Sequence, residues 1–231
     1  MKLSDRLMKI ADLVAKGASV ADIGTDHGYI PVYLVKNKIA NKVIASDVSY
    51  DSLKKASSYV KENNLDHMID TRLGDGLKVL KAAEVDTVII AGMGGLLIQD
   101  ILEKDREITD SITHFILQPM VASRELRQFL YDNGFTIINE SLAKETSRFY
   151  EIIYATKGLD KIESPWDLLI NPILIKNKHP LLQEFIVSRL DNLETIKNEL
   201  KASRSKKSQE RVIEIDSHLS FYREVLKKVE G

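Results

Sequence analysis

Residues 19–29 read SVADIGTDHGY, and this stretch decides the fold class of the 231-residue chain. It begins with a short, mostly apolar run that stops at Gly24, which is typical of a buried strand. Glycines then recur where the backbone must turn tightly before a helix begins. An acidic residue at a strand end, followed by such a turn, is how sheets seat nucleotide-like cofactors at their edge. An ordinary tight turn between a strand and a helix is the simpler alternative.

The spacing within this loop disfavours a dinucleotide cofactor. A dinucleotide-binding loop has the pattern G-x-G-x-x-G, with a helix N-terminus pointing at the pyrophosphate. Here the pattern is G-x-x-x-G, and Asp26 stands where the middle glycine would be. A carboxylate would repel a pyrophosphate, but it is compatible with the ammonium or sulfonium group of S-adenosyl-L-methionine.

Strand-like and helix-like segments alternate outward from this loop. An amphipathic helix with Ser4 as its cap is predicted over residues 1–16. The later strands are predicted at 42–47, 68–76, 86–92 and 113–119, and the later helices at 50–64, 95–105 and 122–133. The two types alternate except at 68–76 and 86–92, where two strands follow each other. Strands separated by helix-length segments imply right-handed crossovers and a parallel sheet. Two final strands, 135–143 and 148–156, predict an antiparallel hairpin. We therefore predict an α/β fold, a Rossmann-like class I methyltransferase sheet that is mostly parallel and closes with this hairpin.

The pattern changes in the last third of the chain. Apolar residues recur every three or four positions in two runs separated by a polar segment, which predicts an antiparallel α-helical hairpin with a coiled-coil seam. The predicted seam residues are Leu182, Ile186, Leu190, Leu193, Ile196 and Leu200 in the first run and Val212, Ile215, Leu219, Tyr222, Leu226 and Val229 in the second. We predict a catalytic domain over 1–158, a connector rich in proline over 159–180 and the coiled-coil hairpin over 181–231. The seam could pair within one chain or between chains, and we expect a monomer.

Composition excludes several classes of site. The chain has no cysteine, which excludes disulfides, zinc–thiolate sites and cysteine nucleophiles, and its five histidines are scattered without ligand spacing. We therefore expect no metal. No apolar run approaches the roughly 20 residues of a membrane span, and the first residues do not resemble a secretory signal. We expect a cytoplasmic protein that binds no membrane.

Acidic residues also follow the second and third predicted strands. Asp47 ends the second strand, where a carboxylate can hold both ribose hydroxyls. Asp75 lies in a Gly-Asp-Gly turn after the third strand, where it can accept a hydrogen bond from an adenine amino group. Each has a simpler reading, since Asp is a good helix cap and Asp-Gly is a common turn. Together with Asp22 they lie at one carboxyl edge of a parallel sheet, which favours a cofactor site.

Further candidates lie after the next two strands. The loop AGMGG, residues 91–95, lets a ligand approach the backbone, although close packing of a helix on a strand is an alternative. Gln118 is a candidate for the opposite wall of a substrate site, or else a structural residue. His27 either orients a substrate or caps the loop.

The two parts of the chain differ in charge. Residues 176–231 carry a net charge of +3 and residues 1–175 a net charge of −4. This difference can mark separate partners or arise by chance. Basic residues cluster between the two predicted helices, at Lys201, Arg204, Lys206, Lys207 and Arg211. Such a cluster adds affinity for nucleic acid by releasing counterions from phosphates, whereas a solvated hairpin tip is the alternative.

Taken together, these segments resemble a known family. RLMKIADLV, ADIGTDHGYIPVYL, GDGL, AGMGG and ILQPM, followed by a helical hairpin, are similar to the bacterial tRNA (adenine-22-N1)-methyltransferases, and the similarity covers essentially the whole chain. The resemblance implies an S-adenosyl-L-methionine-dependent enzyme that methylates N1 of an adenosine in the D-arm region of tRNA. S-adenosyl-L-homocysteine would be the product.

The resemblance and the strand ends together assign the site residues. The cofactor-binding positions are Asp22, Gly24, Thr25, Asp26, Gly28, Asp47, Val48, Gly74, Asp75, Gly76 and Gly92. Met93, Gly94 and Gln118 would lie near the target base, and the basic cluster would bind tRNA. Asp26 and His27 are the catalytic candidates. Asp26 would relieve charge or accept a proton near the exocyclic amine, or it would hold only the cofactor.

Two other classes of function stay open. An NAD-dependent enzyme is disfavoured by the missing third glycine and by the closing hairpin. A non-catalytic RNA-binding protein with a retained cofactor fold is disfavoured by the complete set of acidic residues. Among methyltransferases, another RNA is the nearest rival substrate.

Overall fold

A computed structural model describes residues 3–201 and 205–230, and its strands form a seven-stranded sheet. The strands are β1 Ala18–Ile23, β2 Ala40–Asp47, β3 Ile69–Leu73, β4 Thr87–Met93, β5 His114–Pro119, β6 Phe135–Glu145 and β7 Arg148–Lys157. The α-helices are α1 Asp5–Asp12, α2 Tyr29–Lys36, α3 Tyr50–Glu62, α4 Gly95–Lys104, α5 Arg106–Ser111, α6 Ser123–Asp132, α7 Pro172–Lys176, α8 Leu182–Lys201 and α9 Lys206–Glu230.

The strand order is β3-β2-β1-β4-β5-β7-β6. Strands β1 to β5 run parallel, whereas β7 pairs antiparallel with both β5 and β6. This confirms the predicted fold class, including the closing hairpin. The order reverses between β1 and β4, so a crevice opens at the carboxyl ends of these two strands, where open α/β sheets bind their ligands.

The central strands are buried on both faces. Val20 and Ile23 of β1 and Val88, Ile89 and Ile90 of β4 are almost inaccessible to solvent. Continuous apolar strands of this kind are expected in a parallel sheet that helices cover on both sides.

Two segments differ from the prediction. Helix α1 begins after its predicted cap, with the Ser4 hydroxyl accepting from the Leu7 amide, but it ends at Asp12 rather than at residue 16. Residues 106–111 form a separate short helix that was not predicted. The Thr109 hydroxyl donates to the Leu102 carbonyl across the break between α4 and α5. A polar contact of this kind produces no repeating pattern of apolar residues, so the sequence does not indicate the short helix.

A buried ion cluster joins α6 to the closing hairpin. The Arg127 guanidinium donates to Glu140 at 2.8 Å through both Nε and Nη2, to Glu151 Oε2 at 2.6 Å and to the Leu168 carbonyl at 3.1 Å. All three side chains are almost fully buried. One guanidinium therefore lies between two carboxylates that are almost fully buried.

The chain divides into two compact units, Met1–Leu169 and Ile170–Gly231. In the second unit α8 and α9 pack against each other in antiparallel directions, as the pairs Gln183–Glu230 and Lys197–Asp216 show. This confirms the predicted pair of C-terminal helices. Of the predicted α9 seam, Ile215, Leu219 and Tyr222 are buried, but Val225 is buried in place of Leu226.

The packing of α8 is uneven along its length. Leu182 and Ile186 are buried, whereas Ile196, nearer the end of the helix, is 41% exposed. The apolar spacing alone does not distinguish these positions, and a regular coiled-coil seam stays a prediction. None of the helices in the described ranges combines the length and apolarity that a bilayer crossing requires.

We expect Arg127→Met to lower the free energy of unfolding by about 3–5 kcal/mol, because it leaves two buried carboxylates without their cation. Urea denaturation of the full chain measures this change. Arg106→Ala is the matched control, since this exposed arginine pairs with Asp110 on the surface and should cost no more than about 1 kcal/mol. Equal losses in the two variants would contradict the role given to the buried cluster.

Candidate active site

The loop between β1 and α2 turns through three residues with positive φ angles. These are Gly24 at 78°, Asp26 at 49° and Gly28 at 72°. The amides of Gly24 and Thr25 donate to the Ser46 carbonyl of β2 at 2.8 and 2.9 Å. The loop is therefore fastened to the end of the neighbouring strand, and its side chains lie at the carboxyl edge of the sheet.

Gly28 has a packing role that accounts for its small size. A Cβ atom on Gly28 would lie 3.3 Å from Ala56 of α3, so the glycine lets α2 begin close to that helix. For Gly24 the neighbour is different, because a Cβ atom there would lie 2.3 Å from the terminal methyl group of Met93. The predicted substrate residue Met93 therefore reaches across the crevice to the β1 loop.

Asp47 joins the ends of β1 and β2. Its Oδ2 accepts from the Asp26 amide at 3.3 Å and its Oδ1 accepts from the Ser49 amide at 2.8 Å. Ser49 in turn caps α3. Asp47 can therefore support the start of α3 and also bind a ligand, because each carboxylate oxygen has two lone-pair sites and can accept a second hydrogen bond.

The Asp22 carboxyl is buried at the end of β1, with only 4% of the residue exposed. Burial raises its pKa to about 6; the neighbouring Thr25 hydroxyl offsets part of the rise, and the negative charge of Asp47 adds to it. The Thr25 hydroxyl is itself buried, and it has no hydrogen-bond partner of good geometry among the described residues. A buried acid and a buried hydroxyl on the cavity wall fit a ligand that brings a positive charge and a polar group into this corner.

These residues lie around a cavity of about 400 Å³. Its wall is built from α1, the β1 loop, the start of α2, the end of β4 and the residue after β5. The lining residues are Arg6, Leu7, Asp22, Gly24, Thr25, Asp26, His27, Tyr29, Ile30, Ala91, Gly92 and Met120. The structure thus brings together six predicted site residues, Asp22, Gly24, Thr25, Asp26, His27 and Gly92.

Asp26 and His27 form a pair at the mouth of the cavity. Asp26 Oδ2 lies 2.7 Å from His27 Nδ1, and the two side chains are 61% and 41% exposed. The imidazole stacks on the Tyr29 ring with centroids 5.1 Å apart. The carboxylate therefore faces both the histidine and solvent, where an entering substrate can meet it.

The AGMGG loop is held against the loop after β5. The Gly95 amide donates to the Val121 carbonyl, and a Cβ atom on Gly95 would lie 2.3 Å from the Ala122 carbonyl oxygen. Gly95 is thus required by close packing, which was the alternative interpretation of this loop. Gly92 has a φ of 78° at an irregularity in the register of β4 and β5, and Gly94 precedes α4.

Gln118 lies behind the cavity wall and is fully buried. Its Oε1 accepts from Arg6 Nη1 at 2.7 Å and from the Gly92 amide at 3.2 Å, and its Nε2 donates to the Pro119 carbonyl. These contacts fix the amide and connect α1, β4 and β5. Arg6 was not among the predicted site residues, because it belongs to an amphipathic helix and lies 112 positions from its partner.

The residues predicted after β2 and β3 lie outside the cavity lining. Val48 is 73% exposed, and Asp75 lies between Gly74 and Gly76 as the N-cap of the 3-10 helix Gly76–Val79. The exposed Asp75 accepts from Lys104 Nζ at 3.0 Å, and this ammonium lowers the pKa of the carboxyl.

The basic cluster belongs to the second unit. Lys201 ends α8, and Lys206, Lys207 and Arg211 lie on the first turns of α9, all with exposed side chains. Arg204 lies outside the described residues. No group of three potential metal-ligating side chains occurs within residues 3–201 and 205–230.

Comparisons with known proteins agree with this geometry. A family model for a methyltransferase domain matches residues 3–153. The tRNA (adenine(22)-N(1))-methyltransferase of Bacillus subtilis is 32% identical, with 98% of each chain covered.

Two solved structures share the fold over almost the whole chain. Streptococcus pneumoniae Sp1610 in complex with S-adenosyl-L-methionine superposes with a TM-score of 0.87 at 31% identity, covering 97% of this chain and 100% of that one. TrmK of M. capricolum in complex with S-adenosyl-homocysteine has a TM-score of 0.79 at 26% identity, covering 99% and 100%. With its sheet order, its acidic cavity and these full-length matches, the chain belongs to the tRNA (adenine(22)-N(1))-methyltransferase family.

Proposed function

We propose that this chain transfers a methyl group from S-adenosyl-L-methionine to N1 of the adenosine at position 22 of tRNA. The observation that carries the proposal is the cavity at the switch point of the sheet, with the buried Asp22 carboxyl inside it and Asp26 at its mouth. Two carboxyl groups attract a cationic cofactor and would repel a pyrophosphate. The Bacillus subtilis relative supplies the substrate and the position of the base. Because tRNA is processed in the cytoplasm, the proposal includes that location.

The residues present fit this cofactor. Asp22 and the buried Thr25 hydroxyl would receive the charged methionine end, and the remaining lone pairs of Asp47 would accept from the ribose hydroxyls. Asp75 would accept from the adenine amino group through the oxygen that does not contact Lys104. Val48, Gly74 and Gly76 would border the adenine, and Gly92 would leave room for the ligand at the end of β4.

The protein has two tasks in this chemistry. When bound, S-adenosyl-L-methionine supplies an electrophilic methyl group. Adenine N1 already carries a lone pair in the neutral base, so the chain must align that nitrogen and relieve the positive charge that grows on the base. We assign the relief of charge to Asp26, which His27 orients at 2.7 Å. A carboxylate beside the exocyclic amine provides that relief by accepting a hydrogen bond from it while the base becomes positive.

The substrate side of the cavity would be formed by Met93 and Gly94, with Gln118 positioning the wall behind them. Gln118 has no exposed surface, so we assign it to holding Arg6 and Gly92 in place rather than to direct contact with the base. The target base must leave any stack it occupies in the folded tRNA before it reaches the cavity.

The direct test uses two tRNA transcripts that differ only at position 22, adenosine in one and guanosine in the other. We expect labelled S-adenosyl-L-methionine to modify the first alone, and nucleoside digestion to yield 1-methyladenosine. Methylation of both transcripts, or of ribosomal RNA in preference to tRNA, would overturn the proposed substrate.

Cofactor affinity should depend on pH through Asp22. Because burial raises the pKa of this carboxyl to about 6, the free protein holds a proton there at pH 5, and a cationic ligand must displace it. Binding of S-adenosyl-L-methionine should therefore be about tenfold weaker at pH 5 than at pH 7, as measured by calorimetry. The variant Asp22→Asn should bind more weakly at pH 7 and show no such slope. The same slope in both proteins would assign the titration to another group.

Asp26→Asn should reduce turnover far more than it reduces tRNA affinity. Asparagine tolerates the left-handed backbone of this position and keeps the contact with His27, whereas alanine would add strain. Single-turnover methylation, with cofactor affinity measured separately, distinguishes the two roles of the carboxylate. Normal chemistry combined with weak cofactor binding would leave Asp26 as a cofactor ligand only.

The basic tip of the helical hairpin should contribute to tRNA affinity. Five substitutions to serine remove its charge and leave the buried α9 residues untouched: Lys201, Arg204, Lys206, Lys207 and Arg211. We expect weaker tRNA binding, and a slope of log K against log salt that shrinks by roughly 0.7–0.9 for each phosphate that the tip no longer neutralises.

A matched control removes four exposed lysines of the same unit that lie away from the tip, at Lys176, Lys178, Lys227 and Lys228. These substitutions should leave affinity and salt slope nearly unchanged. If the tip variant also behaves like the unmodified protein, the tip is only a solvated turn.

A further inference from the structure

Two arginines and a tyrosine form a stack beside the cavity of the first unit. The guanidinium carbon of Arg6 lies 5.2 Å from the centroid of the Tyr150 ring, and that of Arg148 lies 5.4 Å from the same centroid. Arg6 comes from α1, whereas Tyr150 and Arg148 come from the start of β7. We call these three residues the arginine–tyrosine stack.

The closing hairpin brings the stack to the functional edge of the sheet. The last paired residues of β5 and β7 are Leu117 and Ile153, so the start of β7 extends beyond the register of β5. There Arg148 Nη2 donates to the carbonyl of Met120 at 3.2 Å, and Met120 lines the cavity. Arg6 lines it as well. One end of the stack is therefore part of the cavity wall and the other end lies at its rim.

The stack carries more positive charge than its neighbours neutralise. Glu145 is the carboxylate near Arg6, accepting from its backbone amide at 3.2 Å and lying 3.8 Å from Nε. That Nε is buried and makes no hydrogen bond within the described residues. Arg148 is exposed and forms no ion pair with any carboxylate of the described ranges. On the paired strand the Lys144 ammonium lies 5.4 Å from the Phe149 ring.

Cations held on aromatic rings at the rim of a cavity suit a ligand that carries both phosphates and flat rings, as RNA does. Residues 1–175 carry a net charge of −4, so most of this part of the chain repels a polyanion and a local cationic surface is needed where RNA must approach. Arginine contacts phosphate through paired donors and also stacks on flat rings. A nucleotide that leaves its stack to enter the cavity needs its backbone held at the entrance.

From this placement we infer that the arginine–tyrosine stack binds the RNA strand next to the target adenosine, with Arg148 contacting a backbone phosphate. Arg6 acts as a positioning residue, since it supports the Tyr150 ring on one side and holds Gln118 on the other. This inference rests on the proposed function and adds an RNA contact on the catalytic unit, independent of the helical hairpin. The alternative is purely structural, in which Arg148 only fastens the hairpin to Met120.

The test compares Arg148→Ala and Arg148→Lys with the control Arg106→Ala. Arg106 is also an exposed arginine of the first unit, but it lies on α5, which leads into the opposite end of β5. Full-length proteins are assayed for tRNA affinity at several salt concentrations with S-adenosyl-L-homocysteine present, for affinity toward that cofactor product alone, and for melting temperature.

We expect Arg148→Ala to weaken tRNA binding about tenfold or more, the usual size of one hydrogen bond to a charged group, and to reduce the salt slope by roughly 0.7–0.9. Arg148→Lys should keep the salt slope and recover part of the affinity. Cofactor affinity should stay unchanged in all variants, and Arg106→Ala should bind tRNA like the unmodified protein.

An unchanged tRNA affinity and salt slope in Arg148→Ala would overturn the inference, as would a drop in melting temperature with no change in tRNA binding. Methylation of the adenosine-22 transcript by the unmodified protein is measured first. If that activity is present and Arg148→Ala still binds tRNA normally, only the inference about the arginine–tyrosine stack is refuted. If it is absent, the proposed function itself fails.

Discussion

Parallel pairing of β1 with both β2 and β4 forces the carboxyl ends of these strands to one edge of the sheet, and the rest of the site depends on that constraint. The amides of the β1 loop reach the Ser46 carbonyl only because β2 ends beside them. Asp47 can then accept from the Asp26 amide, and Asp22 is enclosed between its neighbours. The cavity is thus a consequence of strand direction, and its chemistry is decided by which residues stand at the strand ends.

Charge at these ends separates this site from a dinucleotide site on a similar sheet. A glycine-rich loop leaves backbone amides free to meet a pyrophosphate. In this chain the amides of Gly24 and Thr25 are occupied by Ser46, and the amide of Asp26 donates to Asp47. The loop therefore presents carboxylates instead of amides. A buried acid with a raised pKa is stabilised by a cationic ligand, and this selects the class of cofactor.

The demands of the substrate oppose those of the cofactor. Acids that suit a cation repel tRNA, and the chain places positive charge elsewhere, on the exposed tip of the helical hairpin and on the arginine–tyrosine stack of the catalytic unit. In the stack, the aromatic ring holds two guanidinium groups near each other, and the Glu145 carboxylate lies beside Arg6. A cation on an aromatic face is attracted by the ring and keeps its full charge, so it can still attract an anion.

Periodicity and strand ends in the sequence determined much of this protein, because both signals are local. The alternation of strands and helices, the closing hairpin, the Ser4 cap and the acids Asp22 and Asp47 at one edge were all predictable, since each follows from neighbouring residues and from the handedness of crossovers. Only the tertiary structure decided contacts between distant positions. Arg6 meets Gln118, Asp75 meets Lys104, and Arg127 meets Glu140 and Glu151 through packing that brings separate elements together. A charged residue on a helix looks the same in sequence whether it faces water, a buried acid or a cavity, and only the packing of the other elements distinguishes these surroundings.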